Sequence, residues 1–211
     1  FIVPRVWAPA VGAFVDTLFT QIHAHCGFSL RIGIVPQIET ARVFFYAREI
    51  ASASPRLDAL IFGPGDYAAS MQMPSSGVGE FDEHDALYPG HRWHAVMHTV
   101  VASARANGLR CMDGPYASYK DAAGFERSCR IARAMGFDGK QCIHPSQLAM
   151  ANAVFAPSDE EVAKAAAVVA AYDAAAAGGQ GAAGHGGQMI DMASIRMAHT
   201  VLERKKLTEA Q

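Results

Sequence analysis

Ile32-Gly-Ile-Val-Pro-Gln-Ile-Glu39 and Leu60-Ile-Phe-Gly-Pro-Gly-Asp66 are short apolar runs without polar alternation, and each ends in a carboxylate. A strand with one wet face alternates apolar and polar side chains. A run that stays apolar is covered on both faces, as in parallel sheets flanked by helices. Phe1–Val6, Leu109–Pro115 and Gly139–Pro145 read the same way.

Helical stretches stand between these runs. Val11, Phe14, Val15, Leu18, Phe19 and Ile22 recur at helical spacing over 9–25, and Gly27 ends that helix. A second helix is expected over 40–53. A third runs from Arg92 to Asn107, burying Trp93, Val96, Met97, Val100 and Val101, and a fourth from Asp121 to Met135. A polar loop covers about 72–90. The result is five βα units, where a closed (β/α)₈ barrel has eight. A doubly wound open sheet is the alternative. Three strands ending in Glu39, Asp66 and Asp113 favour an incomplete barrel, whose active sites lie at the carboxyl ends of its strands. The chain opens on a strand at Phe1 with nothing before it, so an N-terminal truncation is expected.

Three regions are expected: a partial barrel over 1–156, a helix and hinge over 157–187, and a lid over 188–211. Ser158 and Glu161 form a capping box that opens an Ala-rich helix to about Ala177. Gly178–Gly187 lacks the Lys-Ser/Thr of a phosphate loop and reads as a flexible hinge. The short helix from Ile190 to about Lys206 is then a candidate mobile lid.

Composition narrows the function. The 211 residues are 51% apolar with a formal net charge of −2 and no basic stripe, against nucleic acid or an anionic membrane as main partner. No run of 18 apolar residues and no signal peptide is visible. Cys26, Cys111, Cys129 and Cys142 are scattered without metal spacing and read as reduced thiols of a cytoplasmic protein.

The strand ends carry the candidate chemistry. Glu39 and Asp66 on adjacent parallel strands should converge, and two converging carboxylates repel unless a proton or cation lies between them. Oxygen ligands with water in the other positions suit Mg²⁺. The bland alternative is that each caps the next helix. Glycines in Gly63-Pro-Gly-Asp-Tyr67 allow a ligand to approach the backbone. His144 is a base, a ligand or a hydrogen-bonded wall residue, and Asp113 is equally open. Asp191 is an ordinary N-cap or a carboxylate carried on the lid. His84, His91, His94 and His98 read as solvated or structural, because Ala95 stands where a zinc helix has Glu.

Pro36-Gln-Ile-Glu-Thr-Ala41, Phe62-Gly-Pro-Gly-Asp66, Gly136-Phe-Asp-Gly-Lys-Gln-Cys-Ile-His-Pro-Ser-Gln147, Phe155-Ala-Pro-Ser158 and Met189-Ile-Asp191 occur in that order. Together they resemble the malyl-CoA lyase, citramalyl-CoA lyase and citrate-lyase beta-subunit family across nearly the whole chain. The resemblance implies a (β/α)₈ barrel with a C-terminal lid, assembled as a homotrimer or homohexamer with lids exchanged between subunits. It implies Glu39 and Asp66 as Mg²⁺ ligands (Mn²⁺ as an alternative), and Gly65 and Asp66 as the segment that holds the 2-oxo acid carboxylate. Ile143 and His144 match a stretch lining the coenzyme A pocket, and Asp191 matches the catalytic acid/base.

The implied reaction is cleavage of (S)-malyl-CoA or β-methylmalyl-CoA to glyoxylate and acetyl-CoA or propionyl-CoA. The family's first three strands are not in this sequence, and with them an Arg that grips the oxo acid and basic residues for coenzyme A phosphates. The chain as it stands is therefore expected neither to close its barrel nor to turn over. The rival readings are a malyl-CoA thioesterase, a citramalyl-CoA or citryl-CoA lyase, a metal-dependent aldolase acting on free hydroxy acids, and a truncated barrel without activity.

Overall fold

Five parallel strands lie side by side in sequence order in the computed structural model, which describes residues 1–74, 77–87, 92–179, 183–186 and 188–209. They are β1 (Ile2–Val3), β2 (Val35–Ile38), β3 (Ala59–Phe62), β4 (Arg110–Asp113) and β5 (Gly139–Lys140). Their registers place Val3 beside Pro36, Ile38 beside Phe62, Ile61 beside Met112 and Asp113 beside Lys140. A doubly wound sheet reverses its strand order at a switch point. Here every new strand adds on the same side, which is the order of a barrel wall.

Side chains alternate across this wall. Ile38, Leu60, Phe62 and Cys111 face the helices and are buried, where they meet Val43, Ile50, Val96, Val100, Ala132 and Phe137. Phe62, Tyr67 and Trp93 form an edge-packed aromatic cluster with centroids 5.8–6.4 Å apart. The covering helices are α1 (Pro9–Cys26), α2 (Ala41–Phe45), α3 (Ala47–Ala51), α4 (Pro64–Ser70), α5 (His94–Ala106), α6 (Ala122–Ala134) and α7 (Leu148–Phe155). Gly27 ends α1 in the left-handed conformation, φ +70°.

Two elements depart from the expected boundaries. The helix expected over 40–53 is broken at Tyr46 (φ −102°, ψ 10°) into α2 and α3, in an aromatic run Phe44-Phe-Tyr46 that disfavours a continuous helix. The strand expected to reach Asp66 stops at Phe62. Pro64, whose ring fixes φ near the helical value, opens α4, so Asp66 lies in a first helical turn and not on a strand.

Residues 1–155 and 156–211 form two separate units. In the second, α8 (Asp159–Ala177) starts at the expected box: Ser158 Oγ accepts from the Glu161 N–H and Glu161 Oε2 from the Ser158 N–H. It packs on α9 (Met192–Glu209), where Ala165, Ile195 and Ala198 are buried. Within the Gly-rich stretch, β6 (Ala183–His185) pairs antiparallel with β7 (Gln188–Ile190). Gly186 supplies the positive φ of +58° at the turn. Residues 180–182 and 187 of that stretch lie outside the described ones, as do 75–76 and 88–91, which include His91. Among the described residues no helix is long and apolar enough to cross a membrane.

Candidate active site at the carboxyl ends of the strands

Glu39 follows the last residue of β2 and is 2% exposed. Oε1 accepts a hydrogen bond of 2.6 Å from the backbone N–H of Arg5, just beyond β1. Arg5 makes this contact from the left-handed region, φ +53°, which a side chain with a β-carbon seldom occupies. On the other side is Gly63. A β-carbon there would come within 2.5 Å of Glu39 Cβ and 3.1 Å of Oε2, so the glycine leaves the space that the glutamate fills.

The Asp66 carboxylate stands beside Glu39. Burial raises the Glu39 pKa most, the Arg5 N–H opposes that, and the charge of Asp66 and a carboxyl–carboxyl hydrogen bond raise it again. The Arg5 guanidinium pulls the other way. These two carboxylates share an open cleft of about 540 Å³ lined by Gln37, Gly63, Pro64, Gly65, Val78 and Pro115 among others. Gly65 and Asp66 fall in the first turn of α4, where backbone N–H groups have no intrahelical acceptor.

A buried carboxylate whose charge is disfavoured by a second carboxylate is chemically suited to a hard divalent cation such as Mg²⁺. Among the described residues no group of three or more His, Cys, Asp or Glu comes together. An ion held by Glu39 and Asp66 would therefore complete its shell with water or ligand oxygens, as Mg²⁺ ordinarily does.

Asp113 does not join them. It is buried on the helix side of the sheet, in an ion pair with Lys140, and its Oδ1 accepts from the Gly114 N–H at 2.8 Å. Strand alternation decides this: Cys111 and Asp113 share the helix face, and Met112 faces the other way. A strand-end position alone does not place a carboxylate in the cleft.

The polar loop is built against the cleft. Its Val78 C=O accepts from Ala117 N–H at 3.0 Å and Glu80 Oε1 from Ser118 N–H at 2.6 Å. Gly79, φ +83°, crosses Pro115 so closely that a β-carbon would meet its carbonyl oxygen at 2.2 Å. Arg92 holds the loop from beneath, paired with Asp82 at 3.0 Å and Asp85 at 3.2 Å. His94 and His98 are exposed neighbours on α5, ring centroids 4.4 Å apart.

Ile143 and His144 are exposed beyond β5. His144 Nδ1 lies 2.8 Å from Ser146 Oγ, and its ring stacks on Tyr119 at 4.5 Å. The fully buried Gln147 ties this segment down. Its Oε1 accepts from Ile143 N–H at 2.8 Å and His144 N–H at 3.3 Å, and its Nε2 donates to the Tyr116 carbonyl at 2.9 Å. Gln147 closes a capping box over the 3₁₀ turn Pro145–Gln147, which the sequence pattern hides because that box normally starts at Ser or Thr.

Asp191, in the second unit, caps α9. Oδ1 accepts from the N–H groups of Ala193 and Ser194 and from Ser194 Oγ, and those bonds lower its pKa. All three bonds fall on Oδ1, and Oδ2 has no hydrogen bond among the described residues.

The sequence pattern of the HpcH/HpaI aldolase/citrate lyase family matches residues 1–145. The chain is 37% identical over 214 residues to L-malyl-CoA/beta-methylmalyl-CoA lyase of Cereibacter sphaeroides, covering 99% of this chain and 67% of that protein. It is 37% identical over 174 residues to (3S)-malyl-CoA thioesterase of the same species, covering 82% of this chain and 55% of that one. A crystal structure of CitE from Mycobacterium tuberculosis in complex with magnesium, acetoacetate and coenzyme A superposes with a TM-score of 0.74 at 26% identity. That match covers 97% of this chain and 67% of that one. The sequential parallel sheet is thus a segment of a (β/α)₈ wall, as its strand order indicates.

Proposed function

The chain belongs to the HpcH/HpaI aldolase/citrate lyase family, and from that premise we propose that it serves a Mg²⁺-dependent carbon–carbon lyase acting on (S)-malyl-CoA or β-methylmalyl-CoA. The products are glyoxylate and acetyl-CoA or propionyl-CoA, and the reaction is reversible. The single observation that carries this reading is Glu39: a buried carboxylate with a raised pKa, facing Asp66 across one cleft.

Glu39 and Asp66 hold the divalent ion. When bound, Mg²⁺ supplies Lewis acidity to the substrate oxygens and orients the bond to be cleaved. The first-turn N–H groups of Gly65 and Asp66 receive the carboxylate of the small acid, a placement in which aligned peptide dipoles favour negative charge. Ile143 and His144 form part of the wall against coenzyme A, and Gln147 fixes their backbone. Asp191 returns a proton to the thioester carbon after cleavage and removes it in the condensing direction. Its unbonded Oδ2 supports that role, and its lid reaches a neighbouring subunit of a homotrimer or homohexamer.

A second reading rests on the similarity to a malyl-CoA thioesterase. Assay of malyl-CoA with Mg²⁺ separates the two. A lyase releases glyoxylate in step with acetyl-CoA, and EDTA abolishes it. Free malate with coenzyme A and no glyoxylate would replace the lyase by the thioesterase.

A further inference from the structure

Val78 stands against Gly65 in the carboxylate cleft. A β-carbon on Gly65 would lie 3.2 and 3.3 Å from the two methyl groups of Val78, so the valine fills the space that the glycine leaves open. Val78 is 36% exposed and lines the same cleft as Glu39, Asp66 and Pro115. Branching at the β-carbon leaves its side chain little rotamer freedom. Its backbone has as little. The Val78 C=O accepts from Ala117 N–H at 3.0 Å, and Glu80 Oε1 accepts from Ser118 N–H at 2.6 Å. Between them Gly79, φ +83°, is pressed onto the Pro115 carbonyl, where a β-carbon would not fit. Arg92, paired with Asp82 and Asp85, braces the following residues. A loop held at this many points does not withdraw to make room, so Val78 is a fixed apolar wall beside Gly65.

In the lyase reading Gly65 and Asp66 receive the small 2-oxo acid. Its carboxylate and carbonyl oxygen are engaged there by N–H groups and the ion, which leaves one substituent on the carbonyl carbon to meet the wall. That substituent is hydrogen in glyoxylate and a methyl group in pyruvate. We propose that Val78 sets the size limit at this position, admitting hydrogen and opposing methyl, so that the site takes glyoxylate in preference to larger 2-oxo acids. This rests on the lyase reading and adds to it a residue that determines specificity.

Condensation of acetyl-CoA with glyoxylate or pyruvate, by a complete barrel that carries this segment and with Mg²⁺ present, tests it in the wild type, Val78→Ala and Val78→Thr. The readout is the kcat/KM ratio of the two acids. Comparing that ratio between variants cancels the greater intrinsic reactivity of an aldehyde over a ketone. One methyl group in an apolar pocket is worth about 10- to 200-fold in discrimination. Val78→Ala therefore shifts the ratio toward pyruvate by about 10-fold or more. Val78→Thr keeps the branched shape and stays near the wild-type ratio. An unchanged ratio in Val78→Ala overturns the proposal, whether both acids keep their rates or lose them together. So does a shift of equal size in Val78→Thr, because shape would then not be the cause. A wild type that condenses neither acid overturns the lyase reading itself, and this assignment with it.

Discussion

Glu39 lies against the bare α-carbon of Gly63, in the space that a β-carbon would take from its Cβ at 2.5 Å and its Oε2 at 3.1 Å. Gly63 itself has φ −111°, open to any residue, so the requirement is contact and not backbone conformation. Gly63→Ala therefore acts on the glutamate. Overpacking of this kind costs about 1–3 kcal/mol, and expressed as Mg²⁺ affinity it is about a 5- to 150-fold loss. Titration of Mg²⁺ against the variant checks it. An alanine variant with wild-type affinity would show that Glu39 reaches the ion from another position.

The raised pKa of Glu39 has a pH signature. A carboxyl whose folded pKa lies above its unfolded value favours the fold below that unfolded value, here near 4.5. The contribution is lost as pH climbs through the folded pKa. Without metal, stability attributable to Glu39 thus declines upward from about 4.5, and Mg²⁺ restores more of it as the pair ionises. In Glu39→Gln that decline disappears together with the Mg²⁺ response. Thermal unfolding against pH, with and without Mg²⁺, reads both effects, and a Mg²⁺ response that survives in Glu39→Gln would remove Glu39 from the metal site.

Lys140 and Asp113 form a buried pair on the helix side of the sheet, away from the cleft. Lys140→Met strands the Asp113 charge and costs about 3–5 kcal/mol, whereas Lys140→Met with Asp113→Leu restores most of it. Chemical denaturation measures the cost. The double variant keeps wild-type Mg²⁺ affinity. If it loses that affinity while folded, the pair belongs to the active site.

Gln147→Leu leaves the part-buried Ile143 and His144 N–H groups without their acceptor, at the low end of the range of about 1–3 kcal/mol for an unsatisfied group. The account expects a higher KM for the acyl-CoA with Mg²⁺ affinity unchanged, and Gln147→Glu, which keeps the acceptor, recovers part of the KM. Steady-state kinetics with metal titration distinguishes this from general destabilisation, in which kcat and metal binding fall together.

Much of this site was legible in the sequence because apolar runs fix strands and strands fix their carboxyl ends. Glu39 was found in this way. Asp66 was found too, although Pro64 moves it from strand to helix. Asp113 was left open, because a terminal position does not say which face a side chain takes. Arg5 was not singled out, and Gly63 was read as room for a ligand and not as the space that Glu39 fills. Their roles depend on a left-handed backbone at one residue and on a missing β-carbon opposite a residue 24 positions away, and neither leaves a periodic trace. Gln147 was visible as a letter in a motif but not as a clamp, since its partners lie beyond the ends of two different strands.

The most direct test of the lyase assignment is release of glyoxylate from malyl-CoA by a complete barrel that carries this segment, compared for the wild type and Asp191→Asn with Mg²⁺ or EDTA. The account predicts EDTA-sensitive glyoxylate from the wild type. It predicts none from Asp191→Asn, with Mg²⁺ affinity in that variant nearly intact. Glyoxylate release by Asp191→Asn at the wild-type rate, or its persistence in EDTA, would contradict it.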